Sequence, residues 1–379
     1  MKAKITHRPV GLYIDFPFCL ARCAFCAFNI QGYREGFASR YIDALRKELT
    51  LQVDAALWED RVVTSFYLGG GTPSLYPAEV LTDLIGLCRE RFPVAPDVEI
   101  TLEAHPATID PTGLTSLRKG GINRLSMGVQ SFSDNHLKAL GRHHTAEVAR
   151  VAFFAAREAG FTNIGIDLIY GLPDQPFSDW EATLHAAIDL TPEHLSLYGL
   201  SIEEGTLFHK KMTAGTLSLP SERETIARYQ TAQERLAAAG LKQYEISNFA
   251  RPGHECRHNL LYWERGEVLG VGLSAHSYLH REHRANIDSL PAYLEAIESD
   301  RLPIDQIETI SPEALRKDRV IFGLRKTEGI PLEYLEEDPS LRKTADRLIE
   351  NGLLTIDRQQ IRLTDKGMLL ADEVALAFL

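Results

Sequence analysis

The sequence predicts an α/β fold: a partial (β/α)6 TIM-like barrel with a smaller C-terminal α+β, winged-helix-like region. Three observations predict it. Strand-like and helix-like stretches alternate for about 200 residues. Polar side chains recur where successive strands end. After about residue 300 the alternation gives way to helix, two short strands and helix.

Val10–Asp15 has the apolar character of a buried strand, and Phe37–Ala55 the spacing of an amphipathic helix. Val62–Leu68 is the second strand, with a helix from Pro77 to about Arg91. Asp97–Glu103 is the third, and Pro111–Gly120 a helix that opens on Pro and closes on Gly. Ile122–Met127 precedes a helical stretch ending at Gly160, and Asn163–Ile169 a helix over Ser178–Leu190. His194–Leu200 is the sixth strand, followed by the long helix Glu222–Ala239. Strands separated by helices of this length build parallel βαβ units. Six units suit a barrel or part of one, with a doubly wound open sheet as the alternative. Leu315–Arg325 and Lys343–Asn351 should be helical, Gly352–Ile356 and Ile361–Thr364 a hairpin, and Lys366–Leu379 a final helix. The expected divisions are 1–240 for the barrel, 241–300 for an extension and 301–379 for the C-terminal region.

A chain of 379 residues with 44% hydrophobic and 25% charged residues can bury a sizeable core. Its net charge of −11 argues against a nucleic-acid partner, which favours a basic face. The N-terminal residues lack the pattern of a secretory signal, and the longest apolar stretch, around Val151–Ala156, is too short to span a bilayer. A cytoplasmic location is therefore expected.

Five cysteines form an odd set, poorly suited to disulfides. Three of them, Cys19, Cys23 and Cys26, follow the first strand in a C-x3-C-x2-C pattern. Thiolates suit iron–sulfur clusters and zinc. A structural zinc site normally takes four protein ligands. Three thiolates on a [4Fe–4S] cubane leave one iron open to a chelating substrate. Unrelated buried cysteines are the bland alternative. Downstream, Gly69–Pro73 follows the second strand, where glycines let backbone approach a ligand. Glu103 ends the third strand, Gln130 follows the fourth, Asp167 lies in the fifth and Ser201 ends the sixth. Barrel sites collect at such strand ends, so these residues are expected to share a pocket. Taken singly, each is as well explained by a core or turn role.

With Phe25 before its last cysteine, the motif resembles the signature of the radical SAM superfamily. That resemblance implies a cluster on Cys19, Cys23 and Cys26 and S-adenosylmethionine (SAM) on its open iron. It also implies one-electron chemistry that the cofactor supplies and the protein orients and shields. From Tyr13 onward the chain is similar to the oxygen-independent coproporphyrinogen III oxidase family. By that likeness Tyr13 packs beside the SAM methionine, and Gly70, Gly71 and Thr72 meet its amino group. Glu103 holds the methionine end, and Arg142 pairs with the carboxylate as a bidentate guanidinium. Gln130 and Asp167 bond the ribose hydroxyls, and Phe25 and Ser201 approach the adenine.

Two features depart from the oxidases of that family. Phe28 stands where they carry a fourth cysteine, and only about nine residues precede the first strand, where they have a long segment. In their place Cys256–Trp263 contains H-N-x-x-Y-W, and Gly270–Ser277 follows. Both resemble the heme-chaperone branch of the family. The likeness implies heme bound near His258, an imidazole being a common axial ligand, with Tyr262 and Trp263 as stacking faces. Cys256 is a second candidate ligand. Without the likeness, a local role for His258 and core roles for the two aromatics fit better. His276 reads as a structural histidine, and Cys88 as a buried hydrophobe. The implied partners are heme and a heme-accepting respiratory, membrane-bound protein. Coproporphyrinogen oxidation is the competing reading.

Overall fold

The computed structural model describes residues 7–53 and 58–379. Six parallel strands run in sequence order: β1 (Arg8–Phe16), β2 (Arg61–Gly70), β3 (Val94–Ala104), β4 (Arg124–Gln130), β5 (Ile164–Tyr170) and β6 (His194–Gly199). Helices α1 (Glu35–Leu51), α2 (Ala78–Arg91), α3 (Pro111–Lys119), α4 (Ala146–Glu158) and α5 (Phe177–Asp189) connect them, and α6 (Glu222–Ala238) follows β6. The far end of the expected helix Phe37–Ala55 falls partly outside the described residues.

The strands are two-sided, as the pleat dictates. Val10, Leu12, Ile14 and Phe16 of β1, Phe66 and Leu68 of β2, and Ile100 and Leu102 of β3 are buried in the large core beneath the helices. Leu125 and Met127 of β4, Ile164 and Ile166 of β5, and Leu195 and Leu197 of β6 join them. The intervening residues form the opposite, inner face, and most are polar: Tyr13, Asp15, Ser65, Tyr67, Glu99, Thr101, Glu103, Arg124, Ser126, Asp167, His194 and Ser196. The helices thus supply the apolar core, and the concave side carries hydrogen-bonding groups. Local caps agree with the pattern. Asp110 accepts from Thr112 and Gly113 at the start of α3, and Ser221 with Glu224 forms a capping box on α6.

Among the described residues the sheet extends to twelve strands. A seventh parallel strand, β7 (Glu267–Val271), lies beside β1 and was not foreseen from the sequence. His276–Leu279, Glu282–Asn286 and Ile304–Thr309 continue that edge antiparallel. Between β6 and β7 the short helix α7 (Arg257–Trp263) packs on β1 and β2. Arg61, 2% exposed, grips Glu267 through two contacts of 2.7 and 2.9 Å, locking β2 to β7.

The C-terminal unit begins with α8 (Pro312–Gly323) and has its own core, including Val320, Leu341, Leu348, Leu354, Ile361 and Val374. Its antiparallel sheet orders Ile330–Pro331, Gln360–Leu363 and Leu354–Asp357. The expected final helix is two, Asp365–Leu369 and Ala371–Leu376. Leu370 breaks it at φ −120° and ψ 32°. The bend lets Gly367 lie against the Leu353 carbonyl while Val374 and Phe378 still reach the core.

Candidate functional site

The C-terminal ends of the barrel strands open into a cavity of about 560 Å³. It is lined by Cys19, Cys23, Phe25, Cys26, Gly70, Gly71, Thr72, Glu103, Gln130, Arg142, Asp167 and Ser201. These residues are scattered over some 180 positions of the sequence; folding brings them to one mouth, where barrel sites form.

The cysteine loop is tied down by backbone bonds at both ends and in the middle. Gln31 donates to the Pro17 carbonyl (2.8 Å), Tyr33 to Cys19 (2.9 Å) and Ala24 to Leu140 (2.9 Å). Arg22 folds it further, donating to the carbonyls of Cys26 (3.2 Å), Phe28 (3.0 Å) and Ile30 (3.2 Å). All three cysteines are free and half-buried. Burial raises the Cys19 and Cys26 thiols; Thr72 opposes this at Cys19, its hydroxyl 3.3 Å from the sulfur. Among the described residues no three His, Cys, Asp or Glu side chains close around a single metal ion. The donor set of three thiols in one loop would suit an iron–sulfur cluster.

The glycine run is a cradle with no room for side chains. A Cβ on Gly71 would stand 2.8 Å from the Phe16 oxygen and 2.9 Å from that of Phe18. Gly70 adopts φ +105°, a region that favours glycine. Its N–H donates to Glu103 Oε2 at 3.2 Å, and the Tyr67 hydroxyl donates to Oε1 at 3.0 Å. Burial, then the neighbouring Asp167, push the Glu103 carboxyl up to about 7 against those two bonds. Arg142 reaches the Gly128 carbonyl and sits 3.6 Å from the Cys23 sulfur, and its buried Nε has no partner. An unsatisfied guanidinium N–H beside the thiols fits a carboxylate-bearing ligand. Asp167, raised by burial, accepts from Ser126 at 3.2 Å. Gln130 enters the cavity because β4 bulges against β5 between Gly128 and Gln130, putting Gln130 at φ 70°. Burial, then Arg142 and His144, push His105 at the cavity wall down to about 3, so it is neutral near pH 7.

Four expected residues lie elsewhere. Tyr13 is on the inner face of β1, stacked on Tyr67 at 6.0 Å and 19°. His258, Tyr262 and Trp263 are on α7, outside the cavity lining. His258 is 1% exposed. Its Nδ1 bonds Ser65 Oγ at 2.9 Å, its Nε2 the Tyr262 hydroxyl at 3.2 Å, and its backbone N–H donates to Glu99 at 3.3 Å. Burial, then Arg124, push its imidazole down to about 3. Cys256 is fully buried against Glu99, its thiol pushed up to about 12. Tyr262 is 40% exposed, and the Arg325 guanidinium lies 4.6 Å over the Trp263 ring. Sequence reasoning missed Arg22, Tyr67 and Ser126; the period-2 polarity of β2 and β4 marked the last two.

Comparison with known proteins matches these features. The Radical SAM superfamily model matches residues 13–187, and the HemN C-terminal domain model residues 310–370. The Mycobacterium tuberculosis protein named heme chaperone HemW is 36% identical over 98% of this chain and 95% of its own length. The Escherichia coli protein of that name is 34% identical over 98% of each chain. The solved structure of Escherichia coli coproporphyrinogen III oxidase (HemN), titled a radical SAM enzyme, superposes with a TM-score of 0.85 at 28% identity, covering 99% of this chain and 91% of that one. Membership of the superfamily implies a [4Fe–4S] cluster and SAM. Among the described residues no helix is long and apolar enough to cross a membrane. A chain that aligns over nearly its whole length with proteins named heme chaperone HemW, at 36% and 34% identity, belongs to the HemW branch of the radical SAM superfamily.

Proposed function

We propose that this chain is a heme chaperone: it binds heme and passes it to an acceptor protein while carrying a SAM-coordinated [4Fe–4S] cluster. The observation that carries the reading is the full-length likeness to proteins named heme chaperone HemW, joined to a cavity whose thiols and Arg142 suit that cofactor pair. Cys19, Cys23 and Cys26 would hold the cluster. Gly70, Gly71 and Glu103 would hold the SAM amino end, Arg142 its carboxylate, and Gln130 and Asp167 its ribose. When bound, the cluster–SAM pair supplies one-electron reduction; the chain orients the pair and shields it from water. Phe28 is 68% exposed at the cavity lining; by the likeness to the oxidases it stands where they carry a fourth cysteine, which weighs against coproporphyrinogen turnover.

Iron ligation by His258 belongs to this proposal, and burial sets its condition. Both ring nitrogens are engaged inside the barrel, so α7 must leave its seat before the imidazole meets iron. Tyr262, already half exposed, is the natural first contact for a porphyrin face.

The test is anaerobic reconstitution followed by heme titration of the wild type and His258→Ala. One heme per chain is expected, with a Soret band weakened in the variant. Absence of heme uptake by reduced protein refutes the carrier reading. Release of CO2 from coproporphyrinogen III in excess of enzyme, with dithionite and SAM, establishes the oxidase reading instead.

A further inference from the structure

Tyr67 stands on the inner face of β2 between the cofactor cavity and α7. On the cavity side its hydroxyl donates to Glu103 Oε1 at 3.0 Å, and the other carboxylate oxygen accepts from Gly70 at 3.2 Å. A Cβ on Gly69 would come within 3.0 Å of the Tyr67 ring and 3.1 Å of Tyr13, so the glycine backbone rests on these two rings. On the opposite side the His258 imidazole lies 5.1 Å from the Tyr67 ring at 31°, and 6.2 Å from Tyr13. The imidazole is itself fixed by Ser65 and Tyr262. The path from α7 to the cavity floor is therefore continuous: Tyr262, His258, Tyr67, Glu103, Gly70.

We propose that Tyr67 is a positioning residue for SAM, and that through it the seating of α7 and the binding of SAM support one another. The physical reason is the single well each group occupies. Glu103 can aim at an amino group beside Gly70 only while the Tyr67 hydroxyl holds Oε1. Tyr67 keeps its ring plane only while the imidazole fills the space behind it, because close-packed interiors do not deform continuously. Withdrawing His258 removes that backing. SAM and the seated helix then favour the same state, and linkage makes the effect reciprocal. The coupling rests on the heme-chaperone reading for its purpose: His258 freed for iron loosens SAM, and bound SAM resists release of His258. The positioning role of Tyr67 does not depend on that reading.

The experiment measures SAM binding to anaerobically reconstituted, heme-free protein by equilibrium dialysis, for the wild type, Tyr67→Phe and His258→Gln. Tyr67→Phe keeps the ring and removes the hydroxyl; His258→Gln retains hydrogen-bonding capacity toward Ser65 and Tyr262 and removes the ring. Iron and sulfide content should match the wild type in both. Tyr67→Phe should weaken SAM about tenfold, the worth of one hydrogen bond to a charged acceptor. It should also move the pH inflection of SAM affinity upward, because the lost bond favours the ionised Glu103. The other groups facing Glu103 are Asp167 of β5, Arg124 of β4, Asp15 and Tyr13 of β1, Tyr198 of β6, Tyr262 of α7 and the Gly70 N–H, and the substitution changes none of them. A purely structural Tyr67 would leave that inflection in place. His258→Gln should weaken SAM by a smaller factor, about threefold, for loss of ring packing alone. Unchanged affinity and inflection in Tyr67→Phe overturn the positioning role; weakened SAM in Tyr67→Phe with wild-type binding in His258→Gln overturns the coupling. Heme uptake is scored separately on the wild type, so failure of the carrier reading is distinguished from failure of either arm.

Discussion

Replacing Glu103 by Gln isolates the charge at the methionine end of the cavity. The carboxylate receives two hydrogen bonds, from Tyr67 at 3.0 Å and Gly70 at 3.2 Å, and burial with Asp167 nearby raises it from 4.5 to about 7. Only its ionised form accepts from an amino group on all sides. A hydrogen bond with one charged partner in a buried site is worth about 1.5–3 kcal/mol. Glu103→Gln should therefore weaken SAM by roughly 10- to 150-fold at pH 8, where the wild-type carboxylate is ionised. The sign with pH follows from the raised value. Below about 7 the wild type must lose a proton to bind, so its advantage over the variant shrinks about tenfold per pH unit as the pH falls. The ratio of the two affinities, from equilibrium dialysis between pH 5.5 and 8.5 with iron content matched, cancels the ionisation of SAM itself. A ratio near one at pH 8, or a ratio independent of pH, refutes the assignment of Glu103 to the amino end.

Two further outcomes follow from the loop and the sheet edge. Arg22→Ala removes three carbonyl contacts that fold the cysteine loop, so iron per chain should fall and the visible absorbance of the cluster should bleach faster in air than that of the wild type; because Arg22 is exposed, the melting temperature of the apoprotein should hardly move. Glu48 of α1 is fully buried and accepts from Gly272 N (2.9 Å), Asn286 Nδ2 (2.8 Å) and the Tyr293 hydroxyl (2.6 Å). Glu48→Ala leaves these donors facing a cavity and should cost about 3 kcal/mol in urea unfolding; a loss below about 0.5 kcal/mol would show that the network contributes nothing net.

The barrel strands were legible because their helix-facing residues form unbroken period-2 apolar sets, Val10–Leu12–Ile14–Phe16 being the clearest. The site was legible for a related reason. Polar residues on the inner face near the strand ends, Glu103 and Asp167 among them, needed only the parallel order to meet. Gln130 was found in sequence by its place after the strand, but the bulge that turns it into the cavity depends on pairing with β5. β7 was not legible, because its partner β1 lies about 250 residues away and nothing local to Glu267–Val271 names it. His258 shows the same limit from the functional side. A motif states residue types and spacing, whereas the surroundings of an imidazole depend on which end of the barrel receives the helix.

The polarity of the barrel interior gives that placement its meaning. A helix seated on an apolar interior would be held by area alone, and its contacts would be indifferent to what binds at the far mouth. Here α7 meets Glu99 at its first N–H groups and Ser65 at its imidazole, and Tyr67 carries the contact onward to Glu103. Hydrogen bonds have direction, so displacement at one end changes the geometry at the other rather than merely loosening it. The cost of burying these groups is offset by mutual satisfaction across the strands, which persists only while α7 stays in place. A barrel filled this way is stable with both ends engaged, and release of one end is felt at the other.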